Sequence, residues 1–330
     1  MRILVTGASG FAGAQLIPRL LRDGHSVSAL ARDPARVAVS GLANLYTGDV
    51  LTGEGLTAAL EGVEVTYYLI HSMERSPSRA DVSPFPERER RSAENFVSAA
   101  RGAGVRRIVY LGGPTADWRM TDRTTDLRPE EPGATLSPHL RSREAVERIL
   151  REGVPDTIAL RASIVIGARS RSFRFMVRLV ERMPVLALPS WRSYRTRPID
   201  ARDVTDMLAA AAILDAAAGR SLDIGGPDIL SYGEMSERIA ELLLLARPTV
   251  GISVNATGLT ARVAAAIAAE DPELVGALMQ SLQGDLLPGG TAGDAHLRAA
   301  ELLEVRLHSY DAAVERSLRE WESVESLAAR

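Results

Sequence analysis

The amino-acid sequence predicts an α/β protein: a doubly wound parallel sheet with a small, mostly helical C-terminal lobe. Short apolar strand-like segments alternate with helix-like segments from Arg2 to Ile166, the pattern of parallel strands covered by helices on both faces. A glycine-rich turn at residues 6–13 joins the first strand to the first helix, where such sheets carry their ligand crevice. The lobe follows from length. The chain has 330 residues, 46% hydrophobic and 25% charged, more than one typical domain, and its alternation loosens after Gly167. The expected division is residues 1–165 for the core and 166–330 for the lobe, with segments near 196–226 returning to the core.

Taken in order, Arg2–Thr6 reads as a short buried strand. Phe11–Arg22 carries Ile17, Leu20 and Leu21 at helical spacing and closes at Gly24. Ser26–Ala31 is a second strand, and Asp33-Pro34 reads as an N-cap with proline at the first helical position. Leu45–Tyr46 is a third strand ending in Gly48-Asp49, and Val65–Ile70 a fourth, rich in β-branched and aromatic residues. Glu87–Ala103 is a long helix, Arg107–Leu111 a fifth strand, and Pro138–Leu150 a further helix. Thr157–Leu160 and Ala162–Ile166 are strand segments around Arg161. Beyond Gly167, Arg171–Met183 is an amphipathic helix, Arg197–Ile199 a short strand and Ala201–Ala217 an alanine-rich helix. Ser221–Ile224 is strand-like, and Tyr232–Ala246 is a helix started by Ser231. The polar stretch 116–137 is long enough to serve as a functional loop.

Composition removes whole classes of chemistry. There is no cysteine, so disulfides, thiolate nucleophiles and cysteine-ligated metals are excluded. There is no lysine either: all 39 basic residues are arginine, which excludes Schiff-base and P-loop lysines. A net charge of −3 argues against nucleic acid as a partner. Five scattered histidines without an H-E-x-x-H pattern give no case for a metal site. The apolar stretches 207–214 and 239–246 are too short to span a bilayer, and the N-terminus lacks a signal-peptide pattern. The expectation is a cytoplasmic monomer or homodimer whose partner is a small-molecule substrate.

The strongest motif is Thr6-Gly7-Ala8-Ser9-Gly10-Phe11-Ala12-Gly13, or TGxxGxxG, between strand and helix. Glycines at 7, 10 and 13 permit a tight turn, close approach to a pyrophosphate, and close helix–strand packing. The free N–H groups of the helix N-terminus favour the phosphates. This predicts a Rossmann core binding a dinucleotide. At the tip of the second strand stands Ala31-Arg32-Asp33-Pro34. With Asp33 used as a cap, Arg32 faces the ribose and Arg36 assists, which favours NADP over NAD by charge complementarity. Asp49 and Val50, after the third strand, are expected beside the adenine.

VTGASGFAG, LARDPARV, GDV, YYLIHSM, ERRSAENFVSAARGAGVRRIVYLGG and LRASIVIG follow one another in an order that resembles the short-chain dehydrogenase/reductase superfamily. The similarity is to its extended and atypical branch, including NmrA-like and complex I accessory-subunit-like proteins. IGGPDILSYGEM (224–235) carries it into the lobe, so it covers roughly the first 235 residues. The resemblance implies a nicotinamide cofactor and a substrate pocket above the C-terminal strand ends. Ile70, His71, Gly112 and Ser163, at those ends, complete the expected cofactor contacts.

The catalytic signature departs from the family's Tyr-x-x-x-Lys. His139 and Arg143 have that spacing and stand as the replaced pair. Arg143 could still hold the nicotinamide ribose but cannot act as an acid. The usual Ser or Thr after the fifth strand is replaced by Gly112-Gly113, with Thr115 two residues on. His139, His71 and Tyr194 are therefore the candidates for moving a proton. Residues 169–197 hold eight arginines against the one acid Glu181, interleaved with Phe173, Phe175, Met176, Trp191 and Tyr194. As a pocket lining, that composition suits an anionic or conjugated substrate; the duller alternative is a solvated helix face. The functional expectation is an NADP(H)-dependent oxidoreductase. Alternatives are an epimerase, dehydratase or cyclase retaining its cofactor, and an NmrA-type sensor without turnover.

Overall fold

The structure, a computed structural model, describes residues 1–37, 39, 41–70, 84–115, 118, 137–251, 257–272, 275–276, 279, 284–288 and 294–323. The strands are β1 (Arg2–Thr6), β2 (Ser26–Ala31), β3 (Asn44–Thr47), β4 (Val65–Tyr68), β5 (Arg107–Gly112), β6 (Ile158–Arg161), β7 (Val165–Ile166), β8 (Leu186–Leu188), β9 (Arg195–Thr196), β10 (Ile199–Asp200), β11 (Ser221–Asp223), β12 (Leu230–Ser231) and β13 (Thr249–Gly251). The helices are α1 (Phe11–Arg22), α2 (Leu56–Leu60), α3 (Phe85–Gly102), α4 (Pro138–Gly153), α5 (Arg171–Arg182), α6 (Ala201–Ile213), α7 (Tyr232–Leu242), α8 (Thr257–Ala268), α9 (Ala295–Leu302) and α10 (Tyr310–Glu322).

Seven parallel strands form one sheet in the order β11-β6-β5-β4-β1-β2-β3. Alternation along each strand sends side chains to two cores. Ile3, Val5, Tyr67 and Val109 pack beneath α1, α6 and α9, whereas Leu4, Tyr68, Ile108 and Tyr110 pack beneath α2, α3 and α4. Leu16, Ile17 and Leu20 of α1 are fully buried, each stabilising the fold by about 1.5–3 kcal/mol. Strand order reverses between β1 and β4, which opens the crevice that positions the site. The lobe has its own core, where Phe173 and Val177 of α5 meet Met235 and Ile239 of α7, Val314 and Trp321 of α10, and Leu186 and Leu188 of β8.

Tertiary contacts change several boundaries. Ala162–Ile166 does not extend the sheet: only Val165–Ile166 is a strand, and it pairs with β10. The expected strand Arg197–Ile199 becomes β9 and β10 on either side of Pro198. The alanine-rich helix stops at Ile213, and residues 215–217 form a 3-10 turn. Wholly buried Arg107 accounts for that stop. Its guanidinium donates to the carbonyls of Ala211 and Ala212 at 3.1 Å each, and to the Asp215 carboxylate at 2.7 Å. A buried charge is tolerated only when so fully partnered. Helix α7 has the capping box Ser231/Glu234 and ends at Leu242, two residues before Leu244 turns left-handed at φ 57°. No helix among the described residues is long and apolar enough to cross a membrane.

Candidate active site at the sheet crossover

The glycine turn is built so that no side chain could occupy it. Gly7 has φ +72°, and a Cβ there would stand 2.6 Å from the Leu69 carbonyl oxygen at the end of β4. A Cβ on Gly13 would stand 2.5 Å from the Gly7 carbonyl oxygen. Gly10, at the N-cap of α1, brings no side-chain cap, so first-turn N–H groups have no side-chain acceptor. A backbone cradle of this kind at a helix N-terminus fits a dinucleotide pyrophosphate.

A cavity of about 580 Å³ runs from this cradle along the strand ends into the lobe. Gly7, Ser9, Gly10, Phe11 and Ala12 line its first part; Arg32, Arg36, Asp49 and Val50 line the β2–β3 side. Ile70, Gly112, Arg143 and Ser163 line it over β4, β5 and β6, with His139 above. Asp33 is occupied as expected, its carboxylate capping the single turn Pro34–Arg36 by accepting from the Ala35 N–H at 3.1 Å. Arg32 and Arg36 make no side-chain hydrogen bond or ion pair among the described residues and stand exposed. Asp49 is also a turn residue, accepting from the Leu51 N–H at 2.9 Å.

Three expected residues are not on the cavity wall. Thr6 is buried within the sheet and donates its hydroxyl to the Tyr67 carbonyl at 2.8 Å. Gly13 acts through helix packing. Tyr194 packs against the lobe core, because residues 190–193 form a 3-10 turn that carries it away. His71 lies outside the described residues, as does most of the loop 116–137. Thr115 is buried and off the wall.

His139 and Arg143 stand one turn apart on α4 with opposed roles. Arg143 is almost buried, stacked 4.8 Å from the Tyr110 ring centroid. It donates to the carbonyls of Ile70, at 3.2 Å, and Leu111, and lies 3.7 Å from the buried Glu89 carboxylate. These acceptors fix its guanidinium between the ends of β4 and β5. His139 is pushed down to a pKa of about 4, first by burial and then by the Arg143 charge. It is therefore neutral at physiological pH.

This has a measurable consequence for stability. Below pH 6.5 the unfolded chain protonates His139 while the folded chain does not, so the unfolded state binds more protons and stability falls with pH. The loss begins near pH 6.5 and levels off near pH 4. It should amount to about 3 kcal/mol at one pKa unit per 1.36 kcal/mol. Urea unfolding at pH 7 and pH 4.5 should show a smaller acid loss for His139→Phe than for the parent chain; equal losses would mean that His139 is not held neutral.

The arginine-rich stretch divides. Only Arg169 and Arg171 of its eight arginines line the cavity, and Arg171 is paired with Glu270 at 2.9 Å. Arg174 and Arg178 stack on Trp321 at 4.7 and 4.8 Å from its ring centroid, and Arg195 pairs with Asp285. The inner wall is apolar, formed by Phe175, Met176, Leu179, Leu186, Leu188 and Tyr232 among others.

Sequence reasoning missed a file of hydroxyls. The Thr196 hydroxyl donates to Ser163 Oγ at 2.7 Å, and the Tyr232 side chain hydrogen-bonds that of Thr196. Ser163 and Tyr232 are both among the residues that line the cavity. Ser163 donates only a long bond, 3.4 Å, to the Arg197 carbonyl. Their separation along the chain hides any common signal.

Residues 7–181 match a family described as NAD(P)H-binding. Among curated proteins, the chain is 30% identical over 113 residues to a 3-beta-hydroxysteroid dehydrogenase of Mycolicibacterium neoaurum, covering 33% of this chain and 31% of that protein. It is 28% identical over 210 residues to a ceramide reductase of Caulobacter vibrioides, 63% of this chain and 60% of that one. The chain thus spans about a third of the first relative's length. Among solved structures, it superposes on a UDP-glucose 4-epimerase of Thermotoga maritima with TM-score 0.71 at 14% identity, covering 98% and 100% of the two chains. It superposes on an NADPH-dependent quinone oxidoreductase of Escherichia coli with TM-score 0.65 at 15% identity, covering 95% and 99%. The fold, the glycine cradle and the family match agree: the chain belongs to the NAD(P)H-binding family.

Proposed function

We propose that the protein is an NADP(H)-dependent reductase of a small, conjugated carbonyl compound, with residues 1–165 holding the cofactor and 166–330 the substrate. The observation that carries this reading is the single cavity joining the glycine cradle to an apolar compartment in the lobe. The similarity to dehydrogenases and reductases supports it. With most of the arginines turned away, the compartment favours the conjugated over the anionic substrate.

The preference for NADP rests on Arg32 and Arg36, which face the cavity while the neighbouring carboxylate of Asp33 is used as a cap. An arginine–phosphate contact stabilises by about 1.5–3 kcal/mol, so NADPH should bind about ten- to a hundredfold more tightly than NADH. Calorimetric titration with both measures the ratio; equal affinities would remove the assignment.

A bound reduced nicotinamide supplies a hydride; the chain must supply the proton. His139, neutral by burial, is a poor acid. The file Ser163–Thr196–Tyr232 is better suited. The Ser163 O–H can leave its long bond to Arg197 for a substrate oxygen in the cavity, while Thr196 replaces that proton and Tyr232 replaces the proton of Thr196. Burial raises the Tyr232 pKa, yet a phenol remains a stronger acid than the alcohol being formed. Cavity water then restores the phenol. Arg143 positions the nicotinamide ribose. The reductase reading is tested by following NADPH consumption at 340 nm with a panel of conjugated ketones and quinones. Tight NADPH binding without turnover would favour the sensor reading.

A further inference from the structure

Behind the glycine turn lies a second, smaller hollow of about 370 Å³. Ala8 and Ser9 of the turn, Ala14, Pro18 and Leu21 of α1, and Val39 form its floor and sides. Three arginines from three elements border it: Arg22 at the end of α1, Arg36 after β2, and, far along the chain, Arg169 before α5. None of the three has a carboxylate or hydrogen-bond partner for its side chain among the described residues. Three uncompensated guanidinium groups around one concavity repel each other, and an anion bound among them removes that cost.

The placement of Arg169 is not a matter of a wandering side chain. Gly167 packs so closely on α1 that a Cβ there would stand 2.7 Å from the Phe11 ring and 3.0 Å from the Ala201 Cβ. The Ser170 N–H closes a turn on the Gly167 carbonyl at 2.9 Å. The backbone on both sides of Arg169 is thereby anchored beside the glycine turn. Ser9, Arg36 and Arg169 are the residues shared between this hollow and the main cavity. Gly10, Phe11 and Ala12, where the pyrophosphate is expected, border only the main cavity. The hollow therefore opens toward the β2 side of the cofactor groove, where the adenosine ribose is expected.

We propose that this hollow is a phosphomonoester seat in which Arg169, a residue of the substrate lobe, joins Arg36 in holding the 2′-phosphate of the cofactor, with Arg22 adding long-range attraction. The proposal rests on the NADP reading above and deepens it. Cofactor choice would be read by both halves of the chain, and by a residue two positions before the helix that walls the substrate compartment.

The test uses the full chain and three small probes, 2′,5′-ADP, ADP and 5′-AMP, titrated by calorimetry. Arg169 is exposed, so Arg169→Ala should fold as the parent does, which circular dichroism checks. The expected result is that Arg169→Ala weakens 2′,5′-ADP about tenfold and leaves ADP and 5′-AMP within twofold. Arg36→Ala should do the same, and Arg22→Ala less. Raising salt from 50 to 300 mM should shrink the Arg169 effect. If Arg169→Ala leaves 2′,5′-ADP binding unchanged while the parent still prefers it to 5′-AMP, NADP preference stands on Arg32 and Arg36 and the seat is overturned. If the variant weakens ADP as much as 2′,5′-ADP, Arg169 is a pyrophosphate ligand and the proposal is also overturned. A parent chain that binds 2′,5′-ADP no better than 5′-AMP overturns the NADP reading itself, and the seat with it.

Discussion

Gly13→Val should reduce NADPH affinity by more than about a hundredfold, a loss above about 2.7 kcal/mol. The reason is backbone against backbone. A Cβ at position 13 would stand 2.5 Å from the Gly7 oxygen and 2.9 Å from the Ala8 Cα, and neither can rotate away as a side chain would. The turn must then lift from α1, spreading the N–H groups that receive the pyrophosphate. Gly13→Ala should fall between the parent and the valine variant. Gly102, at the end of α3, is the control: a Cβ there meets nothing within 4 Å, so Gly102→Ala should leave binding unchanged. Calorimetry on variants shown folded by circular dichroism decides the matter. Undiminished affinity in a folded Gly13→Val chain would remove the pyrophosphate from this turn.

Tyr232→Phe should lower kcat for carbonyl reduction by about 10²-fold or more while leaving NADPH affinity within twofold, since it removes one hydroxyl and keeps the ring. Thr196→Val should do likewise by interrupting the file, and the double variant should be little worse than either single one, because the hydroxyls act in series. A solvent isotope effect on kcat present in the parent should shrink in both variants. His139→Phe, by contrast, should retain most of the activity. If His139→Phe loses activity by 10²–10⁴-fold while Tyr232→Phe does not, the imidazole carries the proton and the hydroxyl file is structural.

The glycine-turn end of the cavity was legible in the sequence because its determinants are local. A strand, three glycines at fixed spacing and a helix must occur in that order, and backbone sterics tie each glycine to one geometry. Asp33 as a cap could be read from Asp-Pro alone, although the helix it starts is a single turn. The lobe end of the cavity was not legible in this way. An arginine-rich, aromatic stretch looks the same in one dimension whether its charges enter a pocket or stack on Trp321, and only packing of α5 against α10 chose the second for Arg174 and Arg178. Tyr194 was the tyrosine the sequence offered as a candidate; the 3-10 turn at 190–193 and the helix capped at Ser231 instead bring Tyr232 to the cavity wall.

By itself the sequence determined the sheet, the glycine cradle and the absence of any lysine, because periodicity, glycine spacing and residue identity are properties of short segments. Tertiary structure alone decided that His139 is neutral, that Ser163, Thr196 and Tyr232 form one hydrogen-bonded file, and that Arg22, Arg36 and Arg169 border one hollow. A pKa depends on burial, and convergence depends on residues as far apart along the chain as Arg36 and Arg169, or Thr196 and Tyr232, meeting in space. Neither can be read from neighbours along the chain.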